Sequence, residues 1–428
     1  MINNTLGNIF KGDKVIWMIF FFLCMISIVE VYSASSFLTY KTGNYAMPVF
    51  KHSGLLLLGV IAMIITLNIN CKYFKIMTPF LLMISFILLV VTLCSGHEVN
   101  GASRSLDILG IKFQASEIAK GTLVLTVAQI LSAMQTDQGA DKRAFAYILF
   151  VCALIIPLIA RENLSTGVLL AMTILLMMII GRIPGKQIGQ LVGVTVIIVV
   201  SLVVLILLIG NKEEVSNPQH QLTEQVDGKT TKENEEGVLK RILHRMDTWK
   251  ARMLKFLDDK PVRPEDVDLD KDAQVAHANI AIVSSNIIGK GPGNSVERDF
   301  LSQAFSDFIY AIIIEETGIA GATFVALLYI ILLFRVGRIA NRCENNFPAF
   351  LAMGLALLLV TQALFHMMVA VGLAPVTGQP LPLVSRGGTS SVLNCIYVGV
   401  ILSISRSAKK RDELQTPVMT STVSNPLN

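Results

Sequence analysis

The hydrophobic residues of this 428-residue chain fall into long uninterrupted runs, without the two-residue or 3.6-residue alternation of half-buried strands and helices. A bilayer core of about 30 Å is crossed by ~20 mostly apolar residues in a helix. Ten runs have about this length, so the sequence predicts an all-α polytopic membrane protein with ten transmembrane helices. The predicted spans lie near residues 15–36, 53–69, 77–94, 115–134, 144–160, 164–181, 188–210, 307–334, 348–370 and 386–405.

The charges of the connecting loops predict the orientation, because cytoplasmic loops retain Lys and Arg. With the N-terminus inside, the loops on its side hold fifteen Lys and Arg residues, and the short loops on the other side hold six. Both termini are therefore predicted to be cytoplasmic, with residues 406–428 as a cytoplasmic tail. The span at 115–134 is the least apolar, but removing it would destroy this asymmetry. The net charge of +5 follows from the topology, so we predict no nucleic-acid partner.

The whole chain, residues 1–428, is interpreted as a single membrane domain with one large external loop, 211–306, between spans seven and eight. Residues 211–237 are polar and mostly acidic, which predicts a disordered tether. Residues 238–257 carry apolar positions at helical spacing with basic residues around them. This basic amphipathic helix lies on the outer leaflet or packs on the outer face of the protein itself, and the sequence leaves both alternatives open.

Ionisable residues within a span, or at its mouth, are costly and are candidates for function. Asp307 lies at the outer end of span eight, with Glu315 and Glu316 about two turns deeper. Glu117 and Lys120 lie one turn apart near the outer end of span four. Each set has a structural alternative. Asp307 is also suited to be the N-cap of a helix, and Glu117 and Lys120 are also suited to form an internal ion pair.

An external carboxylate beside several cations suits a lipid diphosphate sugar as the substrate. The cations, with Arg104 and Arg386 in short external loops, hold the diphosphate leaving group, and the carboxylate removes a proton from the attacking hydroxyl. Glu30, midway along span one, fits less easily. It is either a relay residue of a transporter or a carboxyl paired with a neighbouring span.

The last external loop, residues 375–391, combines prolines with glycines and hydroxyl side chains. Prolines stiffen such a loop, and Gly387 and Gly388 allow close backbone approach. The N–H groups at the start of span ten could meet an anion there. A purely structural re-entrant turn is the alternative, and it is compatible with anion binding.

Several short motifs, taken in order, resemble those of the SEDS (shape, elongation, division and sporulation) family over nearly the whole chain. The matching segments are 99–104, 113–120, 162–166, Gln274 with 281–295, 306–310 with Glu315 and Glu316, and 375–391. The chain departs from the family pattern at Ser105 for tryptophan, Ala115 for proline, Asn163 for an acid, Phe305 for histidine and Arg386 for tyrosine. The sequence of the last loop, TGQPLPLVSRGGTS, is closer to that of the division (FtsW-type) branch than to that of the elongation (RodA-type) branch.

The resemblance implies a peptidoglycan glycosyltransferase that polymerises lipid II into glycan strands on the outer face of the membrane during cell division. It places Asp307 as general base on the acceptor hydroxyl, and Lys51, Arg104, Lys120 and Arg386 become candidates for binding the donor diphosphate. The other implied substrate-binding residues are Glu117, Gln274, Glu315, Glu316, Ser385, Gly387, Gly388, Thr389 and Ser390.

The same resemblance implies a bacterial cytoplasmic (inner) membrane location at the division septum. The implied partners are a class B penicillin-binding transpeptidase and other membrane proteins of the division complex. No metal-ligand motif requires a cofactor, although a divalent cation (Mg²⁺ or Mn²⁺) could bridge the lipid diphosphate.

Three other functions compete with this interpretation. The first is a lipid II flippase, which needs polar groups along a path to the midplane and inner face, whereas these motifs gather on the outer side. The second is an elongation-type (RodA-like) polymerase. The third is a non-catalytic scaffold of a division complex, which gives no role to Asp307 and Lys120.

Overall fold

The computed structural model describes residues 11–34, 47–95, 97–99, 102–108, 111–209, 273–301 and 304–415. Its helices are α1 (Lys14–Ala34), α2 (Met47–Asn68), α3 (Cys71–Ser95), α4 (Ala115–Ala133), α5 (Lys142–Glu162), α6 (Leu164–Ile180), α7 (Gly185–Ile209), α8 (Ala273–Val283), α9 (Ile309–Ala340), α10 (Asn346–Ala370) and α11 (Thr389–Gln415), with a 3₁₀ turn at Glu297–Asp299. The predicted tether at 211–237 and the predicted helix at 238–257 lie outside the described residues.

A helix occupies each of the ten predicted spans, and the chain is an all-α polytopic membrane protein. Seven of these helices, namely α1, α2, α3, α5, α9, α10 and α11, are long and apolar enough to cross a membrane. The number of crossings remains a prediction for α4, α6 and α7. Helix α4 owes its weak hydropathy to its place inside the bundle, where most of its side chains are buried.

The bundle has a buried centre and an apolar rim. In α10 and α11, 67% and 72% of the most apolar stretch is buried, against 22% in α3 and α5. The rim helices present large apolar side chains outward, such as Phe21 on α1, Phe80 on α3 and Phe150 on α5. These faces suit contact with lipid chains, while α4, α10 and α11 form the protein core.

Short strands connect several helices. Strands β1 (His97–Val99), β2 (Ala102–Ile108) and β3 (Ile111–Phe113) form an antiparallel sheet between α3 and α4. Strands β4 (Gln135–Thr136) and β5 (Gly139–Ala140) form a hairpin between α4 and α5. The apolar runs did not predict these strands. Four of the five have only two or three residues and show no period, and the seven residues of β2 lie outside the apolar runs.

Asn163 joins α5 to α6 without an intervening loop. Its backbone N–H donates to Ile159 O at 2.8 Å and so closes α5, while its side chain accepts from Ser165 N at 3.0 Å and caps α6. Asn and Asp cap helices about equally well. The replacement of an acid at this position therefore preserves the local fold.

Helix α9 is kinked at Gly318, which has φ 72° and ψ −173°. The segment before the 3₁₀ turn fills the kink, with Ala320 N donating to Ile287 O at 3.2 Å and Gly291 N donating to Glu316 O at 2.8 Å. A Cβ at position 318 would lie 2.3 Å from Ile287 O. Only glycine fits there, so the kink and the inserted segment depend on each other.

Candidate functional site

The loop between α10 and α11 folds back into the helix bundle as a re-entrant turn. Leu381, Leu383, Val384 and Ser385 are buried. Buried carbonyl groups require hydrogen-bond partners, and side chains of three helices supply them. Ser27 of α1 donates to Val384 O at 2.7 Å, Tyr329 of α9 donates to Pro382 O, Gln362 of α10 donates to Pro380 O at 3.0 Å, and His366 of α10 meets Gln379 O at 2.7 Å. We call residues 379–385 the anchored loop.

Asp307 lies just before α9, and the anchored loop holds the backbone of the residues preceding it. Ser385 Oγ donates to Ser306 O at 2.7 Å, and Arg386 N donates to Phe305 O at 3.0 Å. Ser306 Oγ in turn donates to Asp307 Oδ1 at 2.9 Å. The position of the carboxylate is therefore set by the loop as well as by α9.

The structure does not support the N-cap alternative for Asp307. Helix α9 begins at Ile309, and its N-cap residue is Phe308, whose side chain makes no capping hydrogen bond. An apolar cluster beneath this point includes Phe308 and Ala304, with Phe305 and Val376 packed against it. Asp307 lies above this cluster at the junction of helix and loop.

Gly378 faces the Asp307 carboxylate. A Cβ built on Gly378 would lie 3.3 Å from Asp307 Oδ2, and the φ angle of Gly378 is +66°. Glycine thus serves two purposes here, since it adopts a left-handed conformation and leaves room next to the carboxylate.

Glu117 and Lys120 form the internal ion pair that the sequence left open. Lys120 Nζ lies 2.8 Å from Glu117 Oε1, and both side chains are almost fully buried. Lys120 also donates to Gln362 Oε1 at 3.1 Å, and Ser390 Oγ donates to Glu117 Oε2 at 3.2 Å. Because Gln362 also binds the carbonyl of Pro380, the ion pair connects α4 to the anchored loop and to the start of α11.

Glu315 and Glu316 are fully buried and bind the segment inserted at the α9 kink. Glu315 forms an ion pair with Lys290 at 2.6 Å and accepts from Val296 N at 3.0 Å. Glu316 accepts from Ser33 Oγ of α1 and, at 3.3 Å, from Ser295 N. In this structure their contacts are therefore to the protein itself.

Comparison with known proteins decides the family. The family model for FtsW, RodA and SpoVE, described as cell cycle proteins, matches residues 13–221 and 237–410. The chain belongs to the FtsW/RodA/SpoVE family. The SEDS resemblance drawn from the motifs is confirmed.

Relatives and solved structures agree with this family. The probable peptidoglycan glycosyltransferase FtsW of Halomonas elongata is 29% identical over 406 residues, which are 92% of this chain and 91% of the relative. A chain from a peptidoglycan synthase complex, solved to describe how polymerization and crosslinking are coordinated, matches with a TM-score of 0.65 and 20% identity, over 93% of this chain and 98% of that one. RodA of Thermus thermophilus matches with a TM-score of 0.61 and 19% identity, over 94% and 98%. These two likenesses show that the fold is shared.

Two departures from the family pattern contact each other. The Arg386 guanidinium lies over the Phe305 ring, 5.4 Å from its centroid, which is the range of a cation–π interaction. Burial lowers the pKa of Arg386, but a guanidinium remains charged at neutral pH. Its Nη1 has no hydrogen-bond partner among the described residues. Arg386 therefore provides a positive charge, positioned by the Phe305 ring, shortly before α11.

The other predicted binding residues are spread over several elements. Lys51 is exposed on α2, Arg104 belongs to β2, and Gln274 lies in the first turn of α8. The turn that opens α11 is formed by Gly387, Gly388, Thr389 and Ser390. In this turn, Ser390 N donates to Gly387 O at 3.2 Å. Space is open around the α-carbon of Gly388, which has φ +59°. In the described part of the chain, no three His, Cys, Asp or Glu side chains converge on a possible metal position.

Sequence reasoning missed the residues that hold the anchored loop. Gln362 and His366 lie one turn apart on α10 and so share one face of the helix. Both are polar residues inside an apolar run, which is a usable signal. Their partners are backbone carbonyls, however, and no sequence pattern marks those.

The ion pair allows a test of its structural role. We expect Lys120→Met to lower the free energy of unfolding by about 3–5 kcal/mol, because it leaves the buried Glu117 carboxylate without its partner. The double variant Glu117→Gln/Lys120→Met should recover at least half of that loss. Denaturant unfolding in detergent measures both, with the exposed Lys51→Met as the control. A loss below about 1 kcal/mol for Lys120→Met would contradict the internal pair.

Proposed function

We propose that this chain polymerises lipid II on the outer face of the bacterial cytoplasmic membrane, with Asp307 as the general base. The enzyme class, peptidoglycan glycosyltransferase, is that of its family and of the relatives named for it. One observation supports the role of Asp307 as the base. Its carboxylate is positioned by a hydrogen-bonded loop that also brings the Arg386 guanidinium next to the preceding residues.

The chemistry needs one base and one stabilised leaving group. Asp307 takes the proton of the acceptor sugar hydroxyl as the oxygen attacks the anomeric carbon of the donor, and the bond from that carbon to the lipid diphosphate breaks. The hydrogen bond from Ser306 to Oδ1 orients the Asp307 carboxylate, and Gly378 leaves room beside Oδ2. Arg386 is a fixed cation for the negative charge that develops on the diphosphate.

The buried ion pair changes the role proposed for Lys120. The Lys120 ammonium already pairs with Glu117 and donates to Gln362, and Lys120 is only 3% exposed. We therefore assign Lys120 to holding the anchored loop, and leave Arg386, Arg104 and Lys51 as the cations for the diphosphate. A divalent cation that shares this charge remains part of the proposal, supplied with the substrate.

A division role and a transpeptidase partner complete the proposal. The sequence of the loop at 375–391 and the FtsW name of the Halomonas relative support a place in the division branch and a location at the septum. The peptidoglycan synthase complex that shares this fold coordinates polymerization with crosslinking. By analogy, we propose a class B penicillin-binding transpeptidase and other division-complex proteins as partners.

One observation favours a lipid II flippase as the second candidate. Glu30 is 2% exposed in α1, and its Oε2 has no hydrogen-bond partner among the described residues. Glu316 has an Oε2 without a hydrogen-bond partner among the same residues. Buried carboxyls of this kind are typical of relays inside membranes.

The base is tested with purified protein, its transpeptidase partner and labelled lipid II. We expect Asp307→Asn to lower the rate of glycan chain formation by roughly 10²- to 10⁴-fold, since an amide cannot accept the proton. Asp299→Asn, a partly exposed aspartate in the 3₁₀ turn, should retain the wild-type rate. Equal chain formation by wild type and Asp307→Asn would exclude Asp307 as the base. No chains from wild type, together with lipid II movement across vesicles, would favour the flippase.

The division role is tested by depleting the protein in cells. We expect filaments, because septal synthesis stops while elongation continues. Microscopy of cell shape after depletion measures this outcome. Rounded cells instead of filaments would assign the protein to elongation.

A further inference from the structure

A cavity with several charged residues in its wall lies at the other end of α9 from Asp307. It has a volume of about 330 Å³, and its polar wall consists of Asp13, Lys14, Arg335, Arg342 and Ser405, with Ile339 on the apolar side. This is the side that the loop charges predict to be cytoplasmic. We call this cavity the basal pocket. Its volume is in the range of small-ligand sites, about 300–1,000 Å³.

The frame of the basal pocket is rigid because Asp13 binds three helices. Its carboxylate caps α1 by accepting from Val15 N at 2.9 Å, and it accepts from Arg335 Nε of α9 at 2.8 Å. Arg335 Nη2 lies 2.8 Å from the same carboxylate oxygen. The backbone N–H of Asp13 donates to Ser405 Oγ of α11 at 2.9 Å. The pocket is thus formed by the folded protein and needs no rearrangement.

The wall of the basal pocket has an excess of positive charge. Lys14, Arg335 and Arg342 are cationic, and Asp13 is the one carboxylate among the described residues that line the cavity. Lys14 and Arg342 line the pocket and are both exposed. Basic pockets between transmembrane helices on the cytoplasmic side bind phosphorylated lipid head groups.

The surface next to the pocket favours a lipid over a soluble phosphate. Phe334, next to Arg335 on α9, is 67% exposed, and Met18, about one turn beyond Lys14 on α1, is 53% exposed. Further along, the rings of Phe22 and Phe324 contact each other at 5.8 Å. An apolar surface therefore continues from the pocket along α1 and α9, where acyl chains can lie.

From these observations we infer that the basal pocket binds the phosphate of an anionic phospholipid of the inner leaflet. The head group lies between Lys14 and Arg342, and the acyl chains follow the apolar surface of α1 and α9. The inference does not depend on the proposed polymerase activity, because no residue near Asp307 takes part.

Binding of short-chain phosphatidylglycerol to the purified protein in neutral detergent, followed by native mass spectrometry, tests the inference. We expect Lys14→Ala/Arg342→Ala to weaken binding by about 25-fold, since each cation near a membrane surface contributes on the order of fivefold. The control, Lys72→Ala/Arg338→Ala, removes two exposed cations of the same face outside the pocket and should change the affinity by less than about twofold. The charge-preserving pair Lys14→Arg/Arg342→Lys should bind within about threefold of wild type.

Four results would overturn the inference. Equal losses in the pocket and control variants would show that only general surface charge matters. Unchanged binding by the pocket variant would exclude the pocket. Full competition by millimolar inorganic phosphate, or equal binding of phosphatidylcholine, would replace the anionic lipid with a soluble phosphate or with a neutral lipid.

Discussion

The central constraint in this molecule is that a loop inside an apolar bundle must find partners for its carbonyl groups. An unpaired backbone carbonyl in such surroundings costs several kcal/mol. Ser27, Tyr329, Gln362 and His366 provide those partners from three helices. The loop that they hold then fixes the backbone on which Asp307 stands. The position of the proposed base therefore depends on hydrogen bonds that helix side chains form with the anchored loop inside the bundle.

The same constraint gives several charged residues of the spans a structural role within the protein. Lys120, paired with Glu117, donates a hydrogen bond to Gln362, and Gln362 donates one to the loop carbonyl of Pro380. Glu315 holds the segment that fills the kink of α9. Each of these groups is paired, as buried charges must be. Among the predicted cations, Arg386 lies over the ring of Phe305, two residues before Asp307.

Sequence predicted the fold class and the family, because long apolar runs and ordered motifs are local features. It placed Asp307 at the start of the eighth span, and in the structure the helix begins at Ile309. It did not predict that Arg386 stacks on Phe305, since the two are far apart in the chain and only the fold brings them together. The structural role of Glu315 was also hidden, because it depends on the kink at Gly318 and on a segment inserted there.

The loop before α11 holds the Asp307 segment and leaves space at Gly378 beside the carboxylate, and Gly378→Ala tests that geometry against Gly372→Ala. Both glycines have positive φ angles, +66° and +77°, so both variants carry a similar backbone strain of about 1–2 kcal/mol. Only the new methyl at position 378 meets the Asp307 carboxylate, whereas position 372 opens onto free space. We expect Gly378→Ala to lower the polymerisation rate on lipid II by roughly 10- to 100-fold and Gly372→Ala to stay within about twofold of wild type. Equal rates for the two variants would contradict this expectation.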